Sequence, residues 1–191
     1  MESQSKAVLG VMEGVESKGA SQKGVSKSDL LLRVLALVLT LTAAIVLGVD
    51  KQTTTVPVKL VDTLPAVNIT VVAKWSYLSA FVYLVVANAV ASSYAALSLI
   101  LSIGSKKCLS PIIITLDLLM VALLFSSNGA AMAIGFMGYK GNSHVGWKKS
   151  CNVFGKFCNQ VAAASVLSLV GSLMFVLLVA LASLRLHKKS K

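Results

Sequence analysis

Residues 30–49 read LLLRVLALVLTLTAAIVLGV, and residues 112–135 read IIITLDLLMVALLFSSNGAAMAIG. Residues 76–103 and 161–184 are also strongly apolar. Each stretch reaches the roughly 20 residues that a helix needs to cross a hydrocarbon core of about 30 Å. Hydrophobic residues make up 56% of the 191, a composition that excludes a disordered chain and an ordinary soluble domain. The sequence therefore predicts an all-α membrane protein, a bundle of four transmembrane helices.

The segments outside the spans divide the chain further. Residues 1–29 are polar and rich in Ser, Gly and Lys, and we expect them to form a disordered cytosolic tail. They contain no apolar signal-peptide core, so the first span is expected to act as the insertion signal. Residues 30–186 form the predicted four-span membrane domain, and residues 187–191 form a basic cytosolic tail. An even number of spans places both termini on one side.

Three features indicate which side that is. Eleven of the 18 Lys and Arg residues fall on the side of the termini and seven in the two longer loops, which favours cytosolic termini by the positive-inside rule. Asn68 begins an Asn-Ile-Thr glycosylation acceptor in the first long loop. Cys151 and Cys158 lie in the second long loop, where an oxidising exterior lets cysteines pair. All three features place the loops 50–75 and 136–160 outside the cell.

The cysteines have distinct expected roles. Six residues separate Cys151 from Cys158, and a disulfide between them would close a small loop. A zinc site is the alternative, but these two cysteines and His144 are one ligand short of a structural site. Cys108 lies in the short cytosolic link, where it is either palmitoylated or an unmodified thiol.

Two charges are embedded in the apolar stretches, Arg33 in the first and Asp117 in the third. A charge at such depth costs roughly 2.5–3.5 kcal/mol on insertion scales, so it normally has a partner or a route to water. At 1.5 Å per residue, Arg33 lies about 4.5 Å and Asp117 about 7.5 Å inside the cytosolic edge. We expect an intramembrane ion pair. The alternatives are an Arg33 side chain that extends to the headgroups beside a neutral Asp117, or a proton relay.

Polar and small residues indicate how the helices pack. Asn88 and Asn128 lie deep in the second and third spans, and we expect both amides to hydrogen-bond between helices. Asn128 follows Asp117 by about three helical turns, so the two share a face. Small residues recur every four positions in the second and fourth spans, at Ala87, Ala91, Ala95, Ala164, Ser168 and Ser172. Such stripes let helices approach closely, either within one chain or between chains.

Several functional classes are excluded or disfavoured. The net charge of +11 is spread over tails and loops beside the spans, which argues against nucleic-acid binding. Lys188, Lys189 and Lys191 are better explained by attraction to anionic membrane lipids. The two histidines lie on opposite sides of the membrane, and no catalytic or phosphate-binding motif is present. We expect no enzyme activity, no cofactor or metal, and no small-molecule substrate.

The chain resembles a known family. The segment from Arg33 to Thr53 looks like the first span of plant Casparian strip membrane domain proteins and their CASP-like relatives. The similarity continues through Trp75-Ser76-Tyr77, the span around Asp117 and the Cys151 to Cys158 loop, and covers roughly residues 27–187. An arginine in the first span and an aspartate in the third are the family hallmarks, matched by Arg33 and Asp117.

The resemblance implies a four-span plasma-membrane protein with cytosolic termini that forms homo- and hetero-oligomers with related proteins. Casparian strip members build a membrane scaffold that limits lateral diffusion and recruits lignification enzymes. Residues 54–70 lack the aromatic-rich stretch of that founding group, which points to a CASP-like relative. Claudins differ because their cysteines lie in the first exterior loop. We therefore expect a self-associating scaffold that organises a membrane subdomain. The alternative is a small transporter or channel with a polar track through Asp117, Asn128 and Asn88.

Overall fold

The computed structural model describes residues 27–58, 67–103, 110–141, 144 and 149–190. Its elements, in chain order, are the helix α1 (Lys27–Gly48), the strands β1 (Lys51–Val58) and β2 (Val67–Lys74), and the helices α2 (Ser79–Ile103), α3 (Ser110–Lys140) and α4 (Gly155–Ser190). All four helices are long and apolar enough to cross a membrane. The prediction of a four-span, mainly helical membrane protein is confirmed.

The helices form a closed antiparallel ring. α1 packs against α2 and α4, and α3 packs against the same two neighbours. Near the end of α1, Leu47 packs in one apolar cluster with Phe81 of α2 and Phe157 of α4. Nearer its start, Ala36 packs in a second cluster with Ala95 of α2 and Phe175 of α4. Because residues near the start of α1 meet residues late in α2, the chain alternates direction at each span.

Small residues line these contacts. Every member of the two predicted stripes is almost fully buried within this single chain: Ala87, Ala91, Ala95, Ala164, Ser168 and Ser172. Their lack of bulk lets the backbones approach closely, which gains dispersion contact where lipid supplies no hydrophobic drive. The two alternatives left open by the sequence are thereby resolved for these six residues in favour of packing inside the bundle.

A two-stranded antiparallel hairpin stands at one end of the bundle, which we call the hairpin end; the opposite end is the termini end. The register runs from Lys51 opposite Lys74 to Val58 opposite Val67. This hairpin was not predicted from the sequence. Its strands are rich in Thr, Val and Ile, which favour extended backbone. The end of α1 and the beginning of α2 hold the two strands side by side.

α1, α3 and α4 also extend beyond the predicted spans, whereas α2 starts at Ser79 instead of residue 76. α1 starts at Lys27, so residues 27–29 of the predicted tail are helical, and α4 continues to Ser190 through most of the basic tail. α3 ends at Lys140 instead of residue 135, and α4 starts at Gly155 instead of residue 161. Hydropathy marks where the apolar stretch stops, but a helix continues into the polar interface because its backbone bonds do not depend on side-chain polarity. Residues 1–26 and Cys108 lie outside the described residues.

Candidate functional site in the interior of the bundle

Arg33 and Asp117 meet at the termini end. The Arg33 guanidinium donates from Nη2 to Asp117 Oδ2 at 3.1 Å and from Nη1 to Asp117 Oδ1 at 3.3 Å. This paired geometry matches the fork of the guanidinium to both carboxylate oxygens. Arg33 is six residues into α1 and Asp117 seven into α3, so both lie about 9–10 Å along their helices. The structure thus brings together the two charges that the sequence singled out.

Three further side chains complete the coordination of this pair. Ser98 of α2 accepts a hydrogen bond from Arg33 Nη1 at 2.9 Å, and Asp29 accepts one from Arg33 Nε at 3.3 Å. The Tyr94 hydroxyl lies 2.7 Å from Asp117 Oδ1, to which it donates, with the Ile113 carbonyl as its alternative acceptor at 3.1 Å. We call Asp29, Arg33, Tyr94, Ser98 and Asp117 the charge cluster.

The charge cluster links three of the four helices. Its central side chains are almost withdrawn from the surface, with 6% of Arg33 and 1% of Asp117 exposed. A buried ion pair seldom stabilises a fold more than apolar residues of similar volume would, but removing one partner is costly. The arrangement therefore selects one relative position of α1, α2 and α3, since few other registers would satisfy both charges.

Asp29, Tyr94 and Ser98 were not predicted from the sequence as site residues. Two signals were present. Asp29 precedes Arg33 by four residues, the spacing at which side chains on one helix meet. Tyr94 and Ser98 have the same spacing on α2, which places two polar groups on one face. That face also carries Ala91 and Ala95, so it packs against the bundle interior.

The two membrane amides behave differently. Asn128 Nδ2 donates to Ser168 Oγ of α4 at 2.8 Å and to the Leu124 carbonyl of its own helix at 2.9 Å. Asn88 Nδ2 instead donates to the Leu84 carbonyl within α2 at 2.8 Å. Among the described residues, the structure gives Asn88 no hydrogen bond to another helix, contrary to the expectation. A carbonyl four residues earlier is always within reach of such an amide and competes with partners on other helices.

Cys151 and Cys158 are joined by a disulfide at the hairpin end, with 5.7 Å between their Cα atoms. The bridge ties the short helical turn at Ser150–Asn152 to the first turn of α4. Asn68 lies on β2 and is exposed. It is six residues before Lys74, so it stands about 20 Å along the strand from the hairpin base. The helices of the bundle therefore do not cover this side chain.

Asp50 joins α1 to the hairpin and was not predicted as a site residue. It is only 1% exposed, and neither carboxylate oxygen has a hydrogen-bond partner in the part of the chain that the structure describes. Burial raises the pKa of this carboxyl to about 6, and the nearby Lys156 ammonium opposes part of the rise. Two residues on, Gln52 Oε1 accepts a hydrogen bond from the Phe157 backbone at 2.8 Å. The hairpin is therefore tied to α4 beside a buried acid.

The charge cluster and Asn128 connect helices, whereas Asn88 bonds within α2. Within the described residues, there is no group of three or more His, Cys, Asp or Glu side chains that could hold a metal ion. Between helices, the side-chain hydrogen bonds lie at two levels: the charge cluster near the termini end and, nearer the middle, the Asn128–Ser168 and Tyr83–Ser126 bonds. Such an arrangement fixes how the spans dock.

Comparison with known proteins identifies the family of the chain. The model of the Casparian strip membrane protein domain matches residues 22–174. The chain belongs to this family. It is similar to CASP-like protein 1E1 of Populus trichocarpa, with 67% identity, and of Ricinus communis, with 65% identity, over the full length of each chain. The protein of the same name from Arabidopsis thaliana is 54% identical over 92% of this chain and 95% of its own. No solved structure matches this member of the family.

Proposed function

We propose that this multi-pass protein is a plasma-membrane scaffold that self-associates and organises a membrane subdomain. The observation that supports this most directly is that polar side chains of the spans point into the bundle and bond to one another. Arg33, Asp117 and Asn128 bond to other helices of the same chain, while the outer faces carry exposed apolar side chains. A rigid bundle with an apolar circumference is suited to packing against lipids and other spans. Membership in the Casparian strip membrane protein domain family supports the same reading.

The orientation that we propose has both termini in the cytosol and the hairpin outside. The excess of Lys and Arg on the side of the termini, the exposed Asn68 and the disulfide at the hairpin end support it. In intact cells, Cys151 and Cys158 should resist a membrane-impermeant alkylating reagent until a reductant is added. Labelling of either cysteine without reduction would contradict the disulfide. Failure to label them after an impermeant reductant is added would contradict the orientation. Glycosylation at Asn68, lost in Asn68→Gln, would be an independent mark of the exterior side.

The partners proposed for the scaffold are further copies of this chain and related four-span proteins, with cell-wall-modifying proteins recruited to the exterior face. Lateral mobility and complex size in a native-like membrane test the proposal. We expect slowly diffusing clusters larger than one chain. Freely diffusing monomers would overturn it.

A transporter or channel is the second candidate, because three buried side-chain oxygens within the spans lack a hydrogen-bond partner among the described residues and so have capacity to bind water or a solute. These atoms are Asn88 Oδ1, Asn128 Oδ1 and Ser165 Oγ. Liposomes that contain the purified protein distinguish the two functions. A scaffold gives no ion flux above empty liposomes. Flux that Asn128→Ala and Asp117→Asn abolish without changing assembly would favour transport.

A further inference from the structure

An open apolar cavity of about 780 Å³ lies in the hairpin-end half of the bundle. We call it the α3–α4 groove. It lies between the beginning of α2, the last turns of α3 and the first half of α4, with Phe81, Met132, Phe136, Ala162, Val166 and Leu169 among its lining. Met132, Phe136 and Val166 are each more than half exposed. The groove therefore opens on the outer surface of the bundle, at membrane depth.

The mouth of the groove is cationic. Lys74 is the one charged side chain in its lining within the described residues. Lys140 Nζ lies 5.0 Å from the ring centre of Phe136, which lines the groove. Tyr77 and Tyr139, both exposed, stand beside it, as aromatic residues do at the level of lipid headgroups.

Among the described residues, no carboxylate forms an ion pair with the lysines around this mouth, and Asp50 acts on Lys156 only from a longer distance. In residues 27–58, 67–103, 110–141 and 149–190, the hairpin end carries five lysines: Lys51, Lys74, Lys140, Lys149 and Lys156. In the same ranges, the one carboxylate at the hairpin end is that of Asp50, which is buried. None of the five lysines belongs to an ion pair in these ranges. Lys51 and Lys74 even stand directly opposite each other in the hairpin. Like charges in that position are destabilising, so an external anion would relieve the repulsion.

We infer that the α3–α4 groove is a binding site for a membrane lipid with a net anionic phosphate headgroup. An acyl chain would lie against the apolar walls formed by α3 and α4, and the headgroup would meet Lys74 with Lys140 close by. The apolar lining suits any acyl chain, whereas the unpaired cations select the headgroup charge. This separation of roles makes the two halves of the proposal independently testable.

The headgroup test uses Lys74 and Lys51, which lie directly opposite each other in the hairpin. The purified full-length protein is equilibrated with phosphatidylglycerol or phosphatidylcholine of identical acyl chains, and retained lipid is counted by native mass spectrometry. We expect preferential retention of one phosphatidylglycerol per chain. Lys74→Gln should lower the preference about fivefold, the factor expected for one lysine at a lipid surface. Lys51→Gln removes the same charge outside the groove and should lower the preference by a clearly smaller factor, because Lys51 acts on the headgroup only from a distance. An equal loss in both variants would mean diffuse surface attraction and would overturn the site.

The chain test uses neighbouring alanines on α4. Ala162 lines the groove and Ala163 does not, although both are exposed. Ala162→Trp should abolish retention of either lipid, whereas Ala163→Trp should leave retention unchanged. Lipid retention by Ala162→Trp would overturn the proposal. If this variant retained lipid but changed from dimer to monomer, the groove would instead be the contact with a second copy of the chain. Both lysines are exposed, so the headgroup test remains decisive if Ala162→Trp does not fold.

Discussion

Thr40 of α1 lies so close to Gly171 of α4 that a Cβ atom added at Gly171 would stand 3.0 Å from Thr40 Cγ2. The same added atom would lie 3.5 Å from the Leu39 Cβ and 3.7 Å from the Thr40 backbone nitrogen. Thr40 cannot easily move away, because it is fully buried and its hydroxyl donates to the Ala36 carbonyl at 2.8 Å. The close approach of α1 and α4 therefore depends on the missing side chain.

Gly171→Ala should lower the free energy of unfolding by about 1–3 kcal/mol, the usual cost of overpacking a tight contact. Gly129→Ala is the matched control, because an added Cβ there meets nothing within 4 Å. That control should stabilise α3 by about 0.5–1 kcal/mol through helix propensity. Denaturant unfolding in detergent micelles measures both. If both changes stabilise the protein, α1 and α4 do not depend on this contact.

Removing one member of the charge pair should be strongly destabilising. Asp117→Ala leaves Arg33 buried without its principal partner, and Arg33→Ala does the same to Asp117, so each should cost about 3–5 kcal/mol. The charge-swapped double variant should recover part of the loss. Asp29→Ala is the control, since Asp29 accepts one bond from Arg33 where Asp117 accepts two, and its side chain is more exposed; it should cost under about 1 kcal/mol. The yield of folded protein and its unfolding curve measure these effects. Normal assembly of either single variant would refute the pairing.

The amides give a prediction that depends on which helix each contacts. Asn128→Ala removes a bond to Ser168 and should cost around 1 kcal/mol. Asn88→Ala removes only a bond within α2 and should cost less. A double-mutant cycle with Ser168→Ala isolates the contact between helices, and we expect a coupling near 0.6 kcal/mol between positions 128 and 168. The same cycle between positions 88 and 168 should give no coupling, and an equal value there would show that the Asn128–Ser168 bond is not specific.

Asp50 should make stability depend on pH at the hairpin end. Its pKa is raised to about 6 in the folded protein from an ordinary value of 3.8. Between those values the folded state binds more protons than the unfolded state, so stability falls as pH rises and levels off above about pH 6. The loss should be about 1–3 kcal/mol. Asp50→Asn should reduce this slope between pH 4 and 6 and should be more stable than the unsubstituted protein at pH 7. Identical pH profiles for the two proteins would contradict this account.

The sequence by itself determined the four spans and the residues that had to find polar contacts. Span number follows from composition, because a lipid core requires about 20 apolar residues and a closed set of backbone hydrogen bonds. A charge inside an apolar span is costly, so the positions of Arg33 and Asp117 in the sequence already indicated that each needs a polar partner. The pairing of Cys151 with Cys158 could also be expected without knowledge of the bundle, because only six residues lie between them and the loop that they close is short.

Only the tertiary structure decided the rest. The rotation of α2 decides that Tyr94 and Ser98 face the charge pair and that Asn88 bonds within its own helix. The distance between α1 and α4 decides that Gly171 has no room for a side chain. The hairpin forms where the end of α1 and the beginning of α2 hold two strands in register. These features depend on the relative rotation, height and separation of segments far apart in the chain, and periodicity along one helix leaves those quantities free.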